Sequence, residues 1–257
     1  MIRNKWPSFN ESMKFSHDYV NLREDKSRWQ ILRDRYEDIK QLEVSTPRIP
    51  KILHQIWLGG EMPEFEKQLT RQLRETLDKD WEYILWGDED IYKLKQFKNI
   101  DAFLATPNYG QRSDILRYAI LNEIGGVYMD TDFILINQFN DLLDLDFFCG
   151  VAYDSTPTVF NGLIGCVPND PIINATLNHD RPIVYDDAMR LMDATGPFFL
   201  ERKIFENIEK SERAVVLPTS FLYPLPNFDR SKSLGGDYKS YLQEETICCH
   251  MWSSSWM

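Results

Sequence analysis

Apolar positions recurring at two periods divide the chain into alternating elements. Between Ser27 and Val44, Trp29, Ile31, Leu32, Tyr36, Ile39 and Leu42 fall at helical spacing and predict an amphipathic helix. Lys51 to Gly60 (KILHQIWLGG) is a short apolar run closed by two glycines, which predicts a buried first strand and a turn. Glu64 to Leu77 predicts a helix, Trp81 to Trp86 a second strand, and Ile91 to Leu104 another helix. Ile115, Leu116, Ala119, Ile120 and Ile124 make a further helical stripe, with Ser113 placed to cap its start and Gly125-Gly126 to stop it. Val127, Tyr128 and Met129 then read as a strand that ends in Asp130-Thr131-Asp132.

Downstream, Asp146 to Tyr153 and Thr158 to Val167 predict strands, and Ile172 to His179 and Tyr185 to Met192 short helices. Thr195-Gly196-Pro197 reads as a tight turn before a helix from Phe198 to Ile208. Ala214 to Leu217 is a strand, the proline-rich Leu222 to Asn227 a loop, and Glu244 to His250 leads into a tail rich in tryptophan and serine. This alternation predicts an α/β fold, a Rossmann-like, mainly parallel sheet with helices on both faces. It is expected to occupy residues 47–257, preceded by a helical extension at residues 1–46 that packs on it. Ligands of such sheets bind beyond the carboxyl ends of the strands. Trp57, Asp130 and Asp132 are all expected there.

Charge narrows the ligand. A net charge of −11 with no long run of Lys or Arg argues against nucleic acid, so an anionic substrate needs a cation and a few arginines locally. No 18-residue apolar run suggests a membrane span, and the first residues lack the apolar stretch of a secretory signal. A cytoplasmic protein is expected, with peripheral contact to a membrane-borne acceptor compatible. Four cysteines, none in a C-x-x-C pair, fit buried reduced thiols.

The chemistry centres on the two aspartates. Alternation along a strand puts Asp130 and Asp132 on one face, where two carboxylates repel unless a cation neutralises them. Hard Mg²⁺ or Mn²⁺ takes such oxygens together with substrate phosphates. By itself D-x-D fits a pair of solvated aspartates equally well. Trp57 beside two glycines suits either stacking on a flat base or core packing. Asp114 and Arg117, three apart, share a helix face as an ion pair or as a clamp for a neighbouring carboxylate or sugar hydroxyl. His17, His54 and His179 have no partner visible in the sequence, and His54 is expected on the far face of its strand.

Four separated stretches together resemble one family. They are IPKILHQIWLGG (Ile49–Gly60), the SDxLRY…L…GGVYxDxD block (Ser113–Asp132), TGP (Thr195–Pro197) and H-x-W-x-x-S-W (His250–Trp256). The chain resembles the glycosyltransferases with a DXD sugar-binding motif. These include yeast-type α-mannosyltransferases, bacterial capsule and lipopolysaccharide enzymes and, more distantly, the catalytic domains of large glucosylating toxins. The resemblance spans Ile49 to Trp256 and leaves the first 45 residues uncovered. It implies a GT-A-type nucleotide-sugar-binding fold, a Mn²⁺ or Mg²⁺ cofactor, and transfer with retention at the anomeric carbon. The donor is a UDP- or GDP-sugar, and the acceptor a glycan, a lipid-linked glycan or another hydroxyl.

Residue by residue, the resemblance makes Trp57 the base-stacking tryptophan. Ser113, Asp114 and Arg117 become first-turn residues of the helix facing the donor. Tyr128 and Asp130 become contacts to ribose and sugar, Asp132 the direct metal ligand, and Asn161 a sugar-proximal amide. In relatives a C-terminal segment closes over the diphosphate and adds a metal ligand. Here His250 holds roughly that place, and imidazole is an acceptable Mn²⁺ ligand. Ser253 or Ser255, and Trp256, are within reach of the diphosphate in that arrangement. Two alternatives stay open at this level: a haloacid-dehalogenase-like Mg²⁺-dependent phosphatase, which also carries D-x-D at a strand end, and a nucleotide-sugar-binding protein without activity.

Overall fold

A computed structural model describes residues 3, 5–14, 26–153, 156–178 and 188–253. In chain order its elements are α1 (Phe9–Ser12), α2 (Lys26–Gln41), β1 (Ile52–Ile56), α3 (Glu64–Thr76), β2 (Glu82–Trp86), α4 (Ile100–Ala105), α5 (Tyr109–Ile124), β3 (Gly126–Met129) and β4 (Phe133–Leu135). They continue with β5 (Phe147–Tyr153), β6 (Pro157–Cys166), α6 (Pro171–Thr176), α7 (Ala188–Ala194), α8 (Pro197–Asn207), β7 (Ala214–Leu217), α9 (Thr219–Leu222), a 3-10 stretch (Asn227–Tyr241) and β8 (Cys248–His250).

Six strands form one sheet in the order β2-β1-β3-β6-β5-β7. β1 pairs parallel with β2 and β3, and β5 parallel with β7, while β6 runs antiparallel to both β3 and β5. Five strands therefore point the same way and only β6 is reversed, so the α/β class and mainly parallel sheet expected from the sequence are those observed. β3 and β5 are buried along their whole length, as strands covered on both faces are.

This topology brings the carboxyl ends of β1, β3, β5 and β7 to one edge, where β6 begins. A bulge there matters to the site. Cys149 pairs with Ile164 but Gly150 with Phe160, so Asn161, Gly162 and Leu163 lie between consecutive partners on β5. The bulged Gly162 carbonyl instead accepts from the Asp130 amide at 2.8 Å. A second, two-stranded sheet pairs β4 with β8 antiparallel, with Phe133 opposite His250.

The helix α2 packs against the rest of the chain. Trp29, Leu32, Tyr36 and Ile39 of α2 are buried in the common core, whereas Ile31 and Leu42 face solvent. The Tyr36 hydroxyl donates to the Pro7 carbonyl at 2.8 Å, and Trp6 stacks on Tyr36. The buried Arg3 guanidinium pairs with Asp144, which also pairs with Arg213 and accepts from the Ser45 amide. All four cysteines are buried free thiols, and burial pushes each thiol pKa up.

Three expectations are corrected. Ile91–Leu104 is not one helix: a 3-10 turn (Asp90–Lys93) and the short α4 flank an irregular segment. There Leu94 and Phe97 turn inward, and the Glu123 carboxylate accepts the Lys95 and Gln96 amides, replacing helical partners. Ser113 does not cap α5. Asn108 does, accepting from the Gln111 amide at 2.9 Å, so Ser113, Asp114 and Arg117 stand beyond the first turn. Finally, Asp130-Thr131-Asp132 is a turn between β3 and β4 rather than a strand end. His17, His179, the start of the helix expected at Tyr185–Met192, Ser255 and Trp256 lie outside the described residues.

Candidate active site

The floor of the site is set where β3 ends. Gly125 and Gly126 adopt φ of +70° and +96°, which turns the chain sharply out of α5 into β3. Gly126 also admits the close approach of β1, since a methyl there would lie 2.5 Å from the Ile52 carbonyl oxygen. β3 then delivers Tyr128 and Asp130 beneath Arg117 of α5. The Tyr128 hydroxyl donates to Asp130 Oδ1 at 2.5 Å and lies 3.3 Å from Ser113 Oγ. Arg117 packs its guanidinium over the Tyr128 ring, 4.4 Å from the centroid. Its Nη2 reaches Oδ1 of both Asp114 and Asp130, and its Nη1 donates to the Asn161 carbonyl at 2.6 Å. Arg117 thus makes the helical ion pair with Asp114 and at the same time reaches the Asp130 carboxylate.

Asn161 joins the same network. Its side-chain amide turns inward, donating to Asp114 Oδ1 at 2.7 Å and to the Tyr118 hydroxyl at 3.2 Å. Asp114 Oδ2 in turn accepts from Thr195 Oγ1 at 3.0 Å, which ties in the TGP turn. Asn161 thus holds Asp114 from the bulged stretch of β6.

The tail builds the other wall. Register across β4 and β8 sets His250 opposite Phe133, next to Asp132. His250 Nε2 lies 3.0 Å from Asp132 Oδ1. Asp132 Oδ2 accepts from the Ser253 amide and hydroxyl at 2.9 and 3.2 Å, and its carbonyl accepts from the Met251 amide at 2.8 Å. One ligand atom from each of Asp130, Asp132 and His250 lies within 4.8 Å of the other two. Two hard oxygens and one imidazole nitrogen, gathered from a turn and a strand distant in sequence, fit a divalent cation.

Electrostatics separate the carboxylates. Burial pushes Asp130 up, Arg117 opposes this, and Asp132 adds to it. Asp114 is likewise raised by burial against the pull of Arg117. Burial also acts upward on Asp132, but His250 and the Ser253 hydrogen bonds outweigh it and hold the carboxyl below its usual range. Burial acts to lower Arg117, and the surrounding carboxylates more than offset it. The Asp130 side chain keeps 30% exposure, so this carboxylate is the open member of the group.

Trp57 follows β1 at the same edge. It continues the pairing with β2 through its amide, and its indole Nε1 donates to the Gly60 carbonyl at 3.1 Å, leaving the ring half-buried. Gly59 is needed there. Its φ is +78°, and a methyl would sit 2.3 Å from the Tyr109 ring at the start of α5. Gln55 Nε2 donates to the Asp130 carbonyl at 3.1 Å and so ties β1 to the D-x-D turn. His54 is buried as a core histidine. Trp86 Nε1 donates to its Nδ1 at 3.1 Å, so Nε2 carries the hydrogen that reaches the Gly125 carbonyl at 2.9 Å. Gln55, Gly162 and Tyr109 carry no sequence motif that announces them. Their parts depend on pairing register and on the bulge.

The Asp130, Asp132 and His250 cluster lies at the carboxyl edge of a mainly parallel sheet. Residues 63–148 match the family described as glycosyltransferase sugar-binding region containing DXD motif. The chain carries that region, and the resemblance read from the sequence is found. A mannosyl phosphorylinositol ceramide synthase of Saccharomyces cerevisiae is 35% identical over 159 residues, 59% of this chain and 41% of that protein. An uncharacterized glycosyltransferase of Acanthamoeba polyphaga mimivirus is 30% identical over 169 residues, 62% of this chain and 65% of that one. The solved PaToxG glycosyltransferase, 21% identical, aligns over 72% of this chain and 78% of its own with a TM-score of 0.49. The chain spans about two fifths of the length of the yeast relatives it matches. The family region includes α3 to the D-x-D turn but neither Trp57 nor His250. Among the described residues no helix is long and apolar enough to cross a membrane.

Proposed function

We propose that the chain is a metal-dependent glycosyltransferase that moves a hexose from a UDP- or GDP-sugar to a hydroxyl of a glycan or lipid-linked acceptor. The observation that carries this reading is the convergence of Asp130, Asp132 and His250 at the sheet edge where α/β folds bind ligands. The names of the yeast relatives, which are mannosyl transferases to inositol phosphoceramide, support mannose and an acceptor presented at a membrane surface.

Asp132, His250 and Asp130 would hold the cation. The mixed oxygen and nitrogen set favours Mn²⁺ over Mg²⁺, which keeps mostly oxygen ligands. When bound, the cation offsets charge on the departing diphosphate. Trp57 stacks the base, while Ser113 and Tyr128 face the ribose. Arg117 holds the Asp130 carboxylate toward the sugar. Ser255 and Trp256 are assigned to the diphosphate on resemblance alone. Retention by front-face attack is proposed on the resemblance; Asp114 is locked to Arg117, Asn161 and Thr195, and Asp132 to His250 and Ser253, so Asp130 is the open carboxylate of the three.

A thermal-shift panel of UDP- and GDP-sugars with Mn²⁺ or with a chelator tests the reading. A ligand at a hundredfold excess over Kd stabilises by about 2.7 kcal/mol. A Mn²⁺-dependent rise with one donor is the expected result. No rise with any donor, beside a clear one with Mg²⁺ and phosphate analogues, overturns it in favour of a phosphatase.

A further inference from the structure

One buried hydroxyl at the site has no partner. Tyr223 follows α9 and is 1% exposed, yet among the described residues its OH makes no hydrogen bond. Its ring is fixed on every side. It meets Phe133 edge-on at 5.4 Å between centroids, and lies 5.8 Å from His250, 5.9 Å from Phe160 and 6.4 Å from Trp252. Gly150 and Gly162, on adjoining strands, leave it room. A methyl on Gly150 would lie 3.1 Å from the ring, and one on Gly162 would lie 3.3 Å from the hydroxyl.

The same methyl on Gly162 would lie 2.7 Å from Asp130 Oδ2. Both oxygens therefore lie beside the position that a side chain at residue 162 would fill. Oδ2 is the idle side of Asp130, since Tyr128 and Arg117 both take Oδ1. A buried polar group without a partner is costly, and one beside a candidate site calls for a partner such as a ligand. Here an acceptor-only carboxylate oxygen and a neutral phenol both border the position that a side chain at Gly162 would occupy. That pairing suits one hydroxyl, which donates to Asp130 and accepts from Tyr223. It suits a phosphate poorly, because the carboxylate would repel it.

The geometry points to Tyr223 as a positioning residue that donates a hydrogen bond to a hydroxyl of the transferred sugar, opposite Asp130 Oδ2. This rests on the transferase reading above, and the experiment separates the two. Wild-type protein and Tyr223→Phe are compared for melting temperature alone, then for Mn²⁺-dependent affinity toward UDP, GDP, UDP-glucose, UDP-galactose and GDP-mannose. The phenyl ring keeps the packing and removes only an unpartnered group, so Y223F melts at or above the wild-type temperature. Its affinity for the bare nucleoside diphosphate is unchanged. Its affinity for the sugar nucleotide falls about three- to tenfold, the loss of one neutral hydrogen bond.

A wild-type ratio of sugar-nucleotide to diphosphate affinity in Y223F overturns the assignment. So does a lowered melting temperature in Y223F, which would make the hydroxyl a structural group. Wild-type protein that binds none of the panel overturns the transferase reading itself.

Discussion

Nη2 of Arg117 lies 3.2 Å from Oδ1 of Asp114 and 3.2 Å from Oδ1 of Asp130, so one guanidinium joins the helix to the D-x-D turn. Both carboxylates are raised by burial and both rely on this arginine. Arg117→Ala leaves them facing each other without a counter-charge. Breaking a buried pair costs about 3–5 kcal/mol, and the partial exposure of Asp130 places this case near 3. The melting temperature should fall by roughly 6–12 °C on that figure. Arg117→Lys keeps the charge but not the fork, and should recover stability more than turnover. Calorimetry with paired turnover measurements checks both. Equal stability in the Ala variant would mean that the bridge is not needed.

Asp132 serves the tail as well as the proposed cation. Replacing it by Ala removes the acceptor for the Ser253 amide and hydroxyl and the partner of His250. Mn²⁺-dependent turnover should drop on the order of 100-fold or more, the several kcal/mol that a Lewis acid supplies. Limited proteolysis after residue 250 should quicken at the same time. Near-full activity in Asp132→Ala would remove the metal assignment.

Gly162 is predicted to matter to chemistry rather than folding. Its backbone has no positive φ, yet a methyl would press on Asp130 Oδ2 at 2.7 Å. Gly162→Ala should turn the carboxylate aside and lower turnover by about ten- to a hundredfold, as small misplacements of reacting groups do. Stability should change by less than about 1 kcal/mol, read by denaturant unfolding.

His54 predicts a pH effect unrelated to catalysis. Burial lowers its pKa to about 4, from an ordinary 6.5. The unfolded chain therefore binds a proton at higher pH than the native one. Its contribution to stability is complete above pH 6.5 and is lost as pH falls toward 4, by about 3 kcal/mol in all. Asp170 acts in the opposite sense. Burial raises its carboxyl to about 6, so the native state gains from protonation as pH falls through 6. The difference between wild type and His54→Gln isolates the histidine. It should shrink from pH 7 to pH 4, and a difference independent of pH would contradict the assignment.

The sequence by itself determined the alternation of strands and helices, the glycine exit from α5 and the carboxylate pair. Each is a local property: side-chain period, left-handed glycine geometry, and two acids two residues apart. It also placed the strands β1, β2, β5, β6 and β7 within a residue or two, and α2 within three. Local pattern misled where a tertiary partner replaced a helical one, as Glu123 does for the Lys95 and Gln96 amides. It misled again at α5, where Asn108 after Pro107 supplies the cap one turn ahead of Ser113. Only the tertiary structure decided which groups meet. His250 reaches Asp132 because β8 pairs antiparallel with β4, which sets His250 opposite Phe133, the residue next to Asp132 in the chain. Asn161 turns to Asp114, and Gly162 lies beside Asp130 and Tyr223, because β6 bulges against β5. Register and bulges arise from pairing between distant segments, and no periodicity within either segment encodes them.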